Sequence, residues 1–486
     1  LNRQSTLMNA NQEQDRRARS DAPYRVKAGW DGYEALAAAA VTPEDRFLAA
    51  AQGGRNCFLT GMAGTGKSTL LRQFILECSG TARGQASDLT SLDPVKTCRS
   101  DPPPRRVDIT APTGVAALNV GGMTIHRFCG MMLGPQAGQS NEDYLDVLRK
   151  DPRRSVVNGF HRVMRCQVLV IDEISMLPGR QFDFIEFLFR RLRSRDEPFG
   201  GCQVIVTGDF LQLPPVRLNE GEPYDWAFLT PAWERAEFRT VVLDTVRRQD
   251  EPQFVRALAN FRCGRVWGED ARLLQGRIKN FPPASLTRLF THNVQVDKWN
   301  HFQLGELPGM EVTFEAWQTG PDAQREFLAK NLLTPATLKL KPGAVVMFTV
   351  NRTLPGSARP LFVNGQVGVV ATVPSSASGV SGSIAVRVKT GDVIDVERFK
   401  WSFNAQDPEA ATFSQFPLRL AYSMSIHKAQ GLTLDAAYLD IRAAREPGQA
   451  YVAVSRVRTL AGLHFKEWFK GLHVSPEAIE FYRNTN

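Results

Sequence analysis

Cysteine is sparse in this 486-residue chain: there are seven, at 57, 78, 98, 129, 166, 202 and 263, and no two form a CxxC pair. That spacing excludes the zinc-ribbon and zinc-finger types of site, whose thiolates come in short pairs. The odd number, with several cysteines inside apolar runs, suits reduced, buried thiols in a reducing compartment rather than a disulfide framework. Long apolar runs are missing too. None approaches the roughly 20 residues that a membrane span requires. No internal repeat of fixed period recurs beyond two similar α/β halves. Acidic residues are the minority charge, 50 Asp+Glu against 59 Lys+Arg, for a net +9. Such an excess suits a polyanionic partner, because phosphate contacts supply most non-specific nucleic-acid affinity; solubility explains the charge alone equally well. An initiating Met is absent as well. The chain starts at Leu1, as expected of a fragment or a processed product.

What is present is a series of strand, turn and helix units. Residues 1–40 begin with a polar stretch carrying Arg16, Arg17 and Arg19 among Glu13 and Asp15, and are expected to form a flexible tail. From about Pro43 a helical stretch leads to the strand RNCFLTG, the loop GMAGTGKST and an amphipathic helix with Leu70, Leu71, Phe74 and Ile75. Residues 79–106, rich in Ser, Asp, Pro and Arg, read as a surface insertion. The strands VDITA, QVLVIDE and QVIVTGD follow, β-branched and continuous as in parallel sheets covered on both faces. Phe182, Ile185, Leu188, Phe189 and Leu192 make a core stripe, with arginines on a solvated face. Together these elements predict an α/β domain over 41–240 and a second over 241–486. Within the second, short alternating strands with Asn-Gly and Thr-Gly turns predict a small β-barrel inserted at about 305–410.

Gly61-Met-Ala-Gly64-Thr65-Gly66-Lys67-Ser68-Thr69 fits a P-loop, with a strand before it and a helix after. Its glycines let successive backbone N–H groups converge on phosphate oxygens at a helix N-terminus. Lys67 is expected to reach the β- and γ-phosphates and Ser68 to hold Mg²⁺. The strand ending in Asp172-Glu173 places one carboxylate for the metal and a second to orient or deprotonate the attacking water. In VTGDFLQLPPV, Gln212 is placed to sense the γ-phosphate. These elements predict a Mg²⁺-dependent nucleoside triphosphatase. Arg248 in LDTVRRQD and Arg456 in AYVAVSRVR are candidates for an arginine that neutralises transition-state charge from another domain, though ordinary salt-bridge roles stay open for both.

Taken in order, GMAGTGKST, ITAPTGVAALNVGGMTIHRF, VIDEISML, FGGCQVIVTGDFLQLPPV, VRRQD, SMSIHKAQGLTLD and GQAYVAVSRVRTLAGL resemble the helicase motifs of the Pif family, in the B branch of helicase superfamily one. The likeness runs from about Pro43 to the closing VSPEAIEFYRN. It implies two RecA-like P-loop domains that clamp ATP, and movement in the 5′→3′ direction on single-stranded DNA. It further implies that Pro112, Thr113, Gly114, Thr124 and His126 hold the strand on the first domain. On the second, Ser425, His427 and Lys428 would hold it, while Gln430 and Gly431 couple that grip to the nucleotide. A duplex-parting wedge is expected at about 127–165. The implied partners are single-stranded DNA and DNA forks, with G-quadruplexes and RNA–DNA hybrids as further candidates. A monomer is expected, without a membrane role, in a mitochondrion or nucleus, with a larger nucleoprotein assembly as an alternative setting.

The chain departs from the family at Asp45, which stands where a Gln usually reads the adenine. An Asp accepts from the adenine amine but cannot donate to N7, so relaxed nucleotide selectivity is expected. Ala429 replaces a common Ser and Arg247 a common aromatic. Two other readings compete: a helicase-derived scaffold that binds nucleic acid with little unwinding, and a signalling or metabolic P-loop hydrolase. Robust strand separation excludes the first, and the second leaves SIHKAQG without a purpose.

Overall fold

The computed structural model describes residues 41–78, 105–132, 134–136, 138–217, 221–279, 286–353, 360–374, 382–403, 409–469 and 471–485. The expected tail at 1–40, and the expected insertion at 79–106 apart from Arg105 and Arg106, lie outside them. Arg105 is tied to the sheet: its guanidinium donates to the Gln203 side chain at 2.8 Å.

The apolar runs of the first half become one six-stranded parallel sheet. In chain order its strands are β1 (Cys57–Gly61), β2 (Val107–Ala111), β3 (Met123–Thr124), β4 (Val168–Ile171), β5 (Gln203–Thr207) and β6 (Arg239–Leu243). Their spatial order is β3-β2-β4-β5-β1-β6. Strands β1, β4 and β5 are buried along their whole length, as their unbroken β-branched and aliphatic sequences require. Phe47, Leu70, Leu71, Phe74 and Ile75 pack on this sheet from the helices Pro43–Gln52 and Lys67–Cys78. Of the expected stripe, Phe182, Ile185, Leu188 and Phe189 are buried in the helix Gly179–Arg193, and Leu192, in its last turn, is half-buried. Its arginines are not uniformly solvated. Arg193 turns back to donate to the carbonyls of Gly200 at 2.8 Å and Cys166 at 2.7 Å.

Strand β6 moves the expected domain boundary. Its register, Cys57 beside Arg239 through Gly61 beside Leu243, makes it an edge strand of the first sheet. The first domain therefore ends after Leu243 rather than at 240. Alternating exposure, typical of an edge, hid this affiliation in the sequence.

The second domain has a four-stranded parallel sheet, Ser423–Ser425, Arg288–Phe290, Ala437–Leu439 and Leu463–Phe465 in spatial order. Between its first and second strands in sequence comes the antiparallel insert. Its strands pair as an open five-stranded sheet, a three-stranded sheet and two-stranded ribbons. Among the described residues these pairings do not close into the expected barrel. The insert also runs further than 410, because Leu418–Leu420 pairs with Val345–Phe348 in the five-stranded sheet. Leu304, Phe314, Leu338, Val346, Phe348, Ile384, Val386 and Leu418 form its separate core. Leu304, near the end of the helix Asn293–Gly305, joins this core.

Candidate nucleotide site and nucleic-acid interface

Backbone geometry builds the phosphate loop first. Gly64 and Gly66 have φ of +83° and +92°, left-handed values that L side chains resist. Space forbids substitution as well, since a Cβ on Gly64 would lie 2.6 Å from Cβ of Arg248. Arg248 thus lies directly over the loop. The Lys67 ammonium donates to the carbonyls of Gly61 at 2.7 Å and Met62 at 3.0 Å. An ammonium has three donors, so one direction stays free for a phosphate oxygen. Ser68 and Thr69 are exposed at the start of the helix that follows. Burial holds Lys67 below its ordinary pKa, opposed by the carboxylates of Asp209, Glu173 and Asp172.

The acidic pair closes the site from β4. Asp172 is buried, accepts from the Thr207 hydroxyl, and accepts from the Glu173 N–H at 3.0 Å. Glu173 adopts φ 53° and ψ 46°, left-handed for a non-glycine residue. Such conformations cost on the order of 1–3 kcal/mol and persist at functional sites where the surroundings hold them. The turn aims its carboxylate out of the first domain. There it accepts from Nε2 of Gln430, a second-domain residue, at 3.0 Å. Burial and the neighbouring Asp172 push the Glu173 carboxyl up to about 7. Asp172 is also raised, chiefly by burial. A carboxylate of Asp172 and the Ser68 hydroxyl fit Mg²⁺, which takes one or two protein ligands and keeps several waters.

The two domains meet around this pair, since Val41–Ile479 pack as one unit. Arg262, from the helix Pro252–Arg262, grips the buried Asp209 at 2.7 and 3.0 Å in a two-pronged ion pair. Burial raises Asp209, but Arg262 and Lys67 outweigh it, and its pKa is lowered. The Tyr451 hydroxyl accepts from the Ala63 N–H of the phosphate loop at 3.0 Å. Arg456 is only 2% exposed, donating to the Val452 carbonyl and the Ser455 hydroxyl, each at 2.9 Å. Burial lowers its pKa against the opposing influence of Tyr451, Glu173 and Asp209. Arg248 donates to Thr433 at 3.0 Å and to the Ser455 carbonyl at 2.9 Å, and burial brings its pKa to about 9. Gln212 donates to Asp209 at 3.3 Å, and the turn it belongs to carries Gly448 of the second domain.

Sequence reasoning placed Lys67, Asp172, Glu173, Gln212, Arg248 and Arg456 here. It missed Arg262, Tyr451 and Thr207. Arg262 sits in FRCGR, which has no local pattern; the strand-end Thr207 two residues before Asp209 was a readable signal.

The residues expected to hold a strand stand at the carboxyl ends of parallel strands in both domains. Thr113 follows β2 and caps the helix Gly114–Asn119, accepting from the Ala116 N–H at 3.2 Å. Thr124, which ends β3, caps the helix Ile125–Cys129 in the same way. His126 hydrogen-bonds Gln181, and burial lowers its pKa. His427 is exposed and Lys428 half-exposed on the short helix Ile426–Ala429. Ser425 is buried, and its hydroxyl has no partner among the described residues. Gly431, at φ +81°, lies against the first domain: its Cβ position is 3.7 Å from the Asn119 amide. Gly114 faces the insert instead, with Asn331 at 2.1 Å from its Cβ position. Asp45 has a local task, completing a capping box in which it accepts from the Thr42 hydroxyl at 2.6 Å.

Comparison with known proteins fits this geometry. A family model for PIF1-like helicases matches residues 97–261. The chain is 36% identical over 435 residues to the ATP-dependent DNA helicase Pif1 of Bdellovibrio bacteriovorus, an alignment covering 88% of each. The chain belongs to the PIF1-like helicase family. It is also 35% identical over 433 residues to Homo sapiens ATP-dependent DNA helicase PIF1, covering 88% of this chain and 61% of that protein. It thus spans about three fifths of the human relative. Crystal structures of Bacteroides Pif1 resemble it over most of its length. The complex with ADP-AlF4 has a TM-score of 0.73 at 28% identity, covering 91% of this chain and 96% of that one. The complex with ADP-AlF3 and ssDNA has a TM-score of 0.57 at 28% identity, covering 92% and 97%. As a PIF1-like helicase fold, the chain has two RecA-like P-loop domains, with the cleft between them at Glu173, Gln430 and Arg456.

Proposed function

We propose that this chain is an ATP-dependent DNA helicase that grips single-stranded DNA and moves along it 5′→3′, parting duplex ahead of it. One observation carries the reading: the hydrogen bond from Gln430 to Glu173. Gln430 stands in the turn SIHKAQG, immediately after the residues that face the strand. A displacement of that turn therefore reaches the carboxylate that activates water, without an intermediary.

The side chains divide the work. Lys67 and the amides of Gly64 and Gly66 would hold the phosphates, and Ser68 with Asp172 would hold the metal. Bound Mg²⁺–ATP supplies the bond to be cleaved and the charge that lets Asp172 ionise. Glu173 takes the proton of the attacking water; a base with a pKa near neutrality suits that transfer. Arg248 and Arg456 approach the developing negative charge as the cleft closes, a contribution typically worth about 10³–10⁵ in rate. Pro112, Thr113, Gly114, Thr124 and His126 grip from one domain, and Ser425, His427 and Lys428 from the other. Alternate tightening of these two grips as the cleft closes and opens advances the strand. The wedge is assigned to 127–165, where Met132 and Val157 present apolar surface to solvent.

Strand separation on duplexes with one single-stranded tail tests this reading. Unwinding of 5′-tailed substrate, absent in Lys67→Ala, is the expected result. Equal unwinding of 3′-tailed substrate contradicts the polarity. Tight binding without unwinding or hydrolysis contradicts the motor and favours a scaffold. The same assay with forks, G-quadruplexes and RNA–DNA hybrids ranks the structured substrates.

A further inference from the structure

The position of the helix Gln449–Val454 decides where Arg456 stands. The Arg456 guanidinium is bonded to that helix and its cap, through the Val452 carbonyl and the Ser455 hydroxyl, so it moves with the helix rather than independently. Two contacts already hold the helix to the first domain. The Tyr451 hydroxyl accepts from the Ala63 N–H, and Gly448 lies against the Gln212 carbonyl. Both lie within or right at the end of the helix. A short rod held there can still tilt; a hold ahead of it fixes the angle.

Such a hold exists at Glu446, which belongs to no motif quoted above. Its backbone carbonyl accepts from the Gln449 N–H at 3.1 Å, and Pro447, whose ring fixes φ, stiffens the link to Gly448. Its carboxylate crosses to the first domain. One oxygen accepts from the Tyr224 hydroxyl, and the other accepts from the Arg217 guanidinium at 3.4 Å. The same guanidinium lies over the Tyr224 ring, 4.5 Å from its centre, so the three side chains close a triangle. Burial and the Glu446 carboxylate raise the pKa of the Tyr224 phenol, which keeps it a donor at neutral pH. The ground under Tyr224 is firm. Asp225 accepts from Nε of Arg180 at 2.8 Å, its carbonyl accepts from the Gly179 N–H at 2.7 Å, and Trp226 is buried.

We propose that Glu446 is a positioning residue for ATP hydrolysis: its contact with Tyr224 and Arg217 sets the angle of the helix Gln449–Val454, and so the distance of Arg456 from the phosphate loop. The role rests on the proposed helicase reading and on the part Arg456 plays in it. Glu446 touches neither nucleotide nor strand; it acts through the helix. Its side chain keeps 38% of its surface exposed, so the ion pair is made without being sealed in. Such a contact is weak enough to part when the cleft opens and to form again when it closes.

The test is steady-state ATP hydrolysis by the full chain with saturating oligo-dT, with melting temperatures. The proteins are wild type, Tyr224→Phe, Glu446→Ala, Glu446→Gln, and the double variant of Tyr224→Phe with Glu446→Ala. Each of Tyr224→Phe and Glu446→Ala is expected to lower kcat about tenfold, the low end for a hydrogen bond to a charged group. KM for ATP should stay within about twofold of wild type, since the contact acts on the transition state and not on nucleotide binding. The double variant should be no slower than the slower single one, because both changes remove the same contact. Glu446→Gln keeps an oxygen for the tyrosine hydroxyl and should recover most of the rate. A lower melting temperature with unchanged kcat in Tyr224→Phe and Glu446→Ala overturns the proposal and makes the contact structural. Losses of kcat that multiply in the double variant overturn it as well. Wild-type hydrolysis indifferent to oligo-dT defeats the helicase reading itself, an outcome distinct from equal, stimulated rates in wild type and variants, which defeats only the positioning role.

Discussion

Glu173 concentrates the chemistry at the scale of single residues. Its carboxyl is raised by burial and by Asp172, so it is protonated more readily in the folded chain than in the unfolded one. The sign follows from that. Stability from this group is complete below the ordinary carboxylate range and is lost as pH rises toward about 7, where the folded group ionises. Glu173→Gln carries no charge at any pH. Its melting temperature should gain on wild type as pH goes from 5 to 8, which differential scanning calorimetry at matched ionic strength would show. ATP hydrolysis by wild type should climb through the same interval as the base becomes available, and Glu173→Gln should lose about 10²–10⁴ of the rate. A variant hydrolysing at the wild-type rate would remove Glu173 from the role. That Lys67, Asp172 and Glu173 lie together was legible in sequence, because phosphate and metal chemistry restrict residue type over a short span. Arg262 was not legible. Its value lies in reaching Asp209 from another domain, and a separation of 53 in sequence carries no mark of the contact.

At the scale of elements, the continuous strands and the amphipathic helix stripe translated directly into sheet and cover, because burial on both faces demands unbroken apolar sequence. The edge strand β6 and the insert did not translate fully. An edge strand alternates like an antiparallel one, and alternation states which face is buried but not whether a sheet closes on itself. Glycines decide where elements touch. Gly448, at φ +71°, opens the helix Gln449–Val454, and a Cβ there would come within 2.3 Å of the Gln212 carbonyl and 2.5 Å of that of Leu211. Gly448→Ala should therefore push the helix that leads into Arg456 off the first domain. The expected result is a kcat for ATP hydrolysis reduced at least tenfold, with nucleotide binding to the phosphate loop retained and circular dichroism unchanged. An unaltered kcat would show that the approach of this helix is unnecessary for hydrolysis.

At the scale of the whole molecule, the domains are joined at the nucleotide site by polar contacts: Arg262 to Asp209, Ala63 to Tyr451, and Gln430 to Glu173. Truncating one partner of a buried ion pair typically costs about 3–5 kcal/mol, largely because the other charge is left unpaired. Contacts of that kind have definite made and broken states, as a cleft that opens and closes requires. The phosphate loop alone left open what the chain moves. In the proposed mechanism it is the meeting of SIHKAQG with the acidic pair, which spans the two domains, that would make hydrolysis answerable to the strand.

The rate of ATP hydrolysis with and without oligo-dT, in wild type and in Gln430→Ala, tests this coupling most directly. Strong stimulation of wild type by the single strand, with most of that stimulation lost in Gln430→Ala, is the predicted result. A wild-type rate indifferent to the strand, or a Gln430→Ala variant stimulated as strongly as wild type, would contradict it.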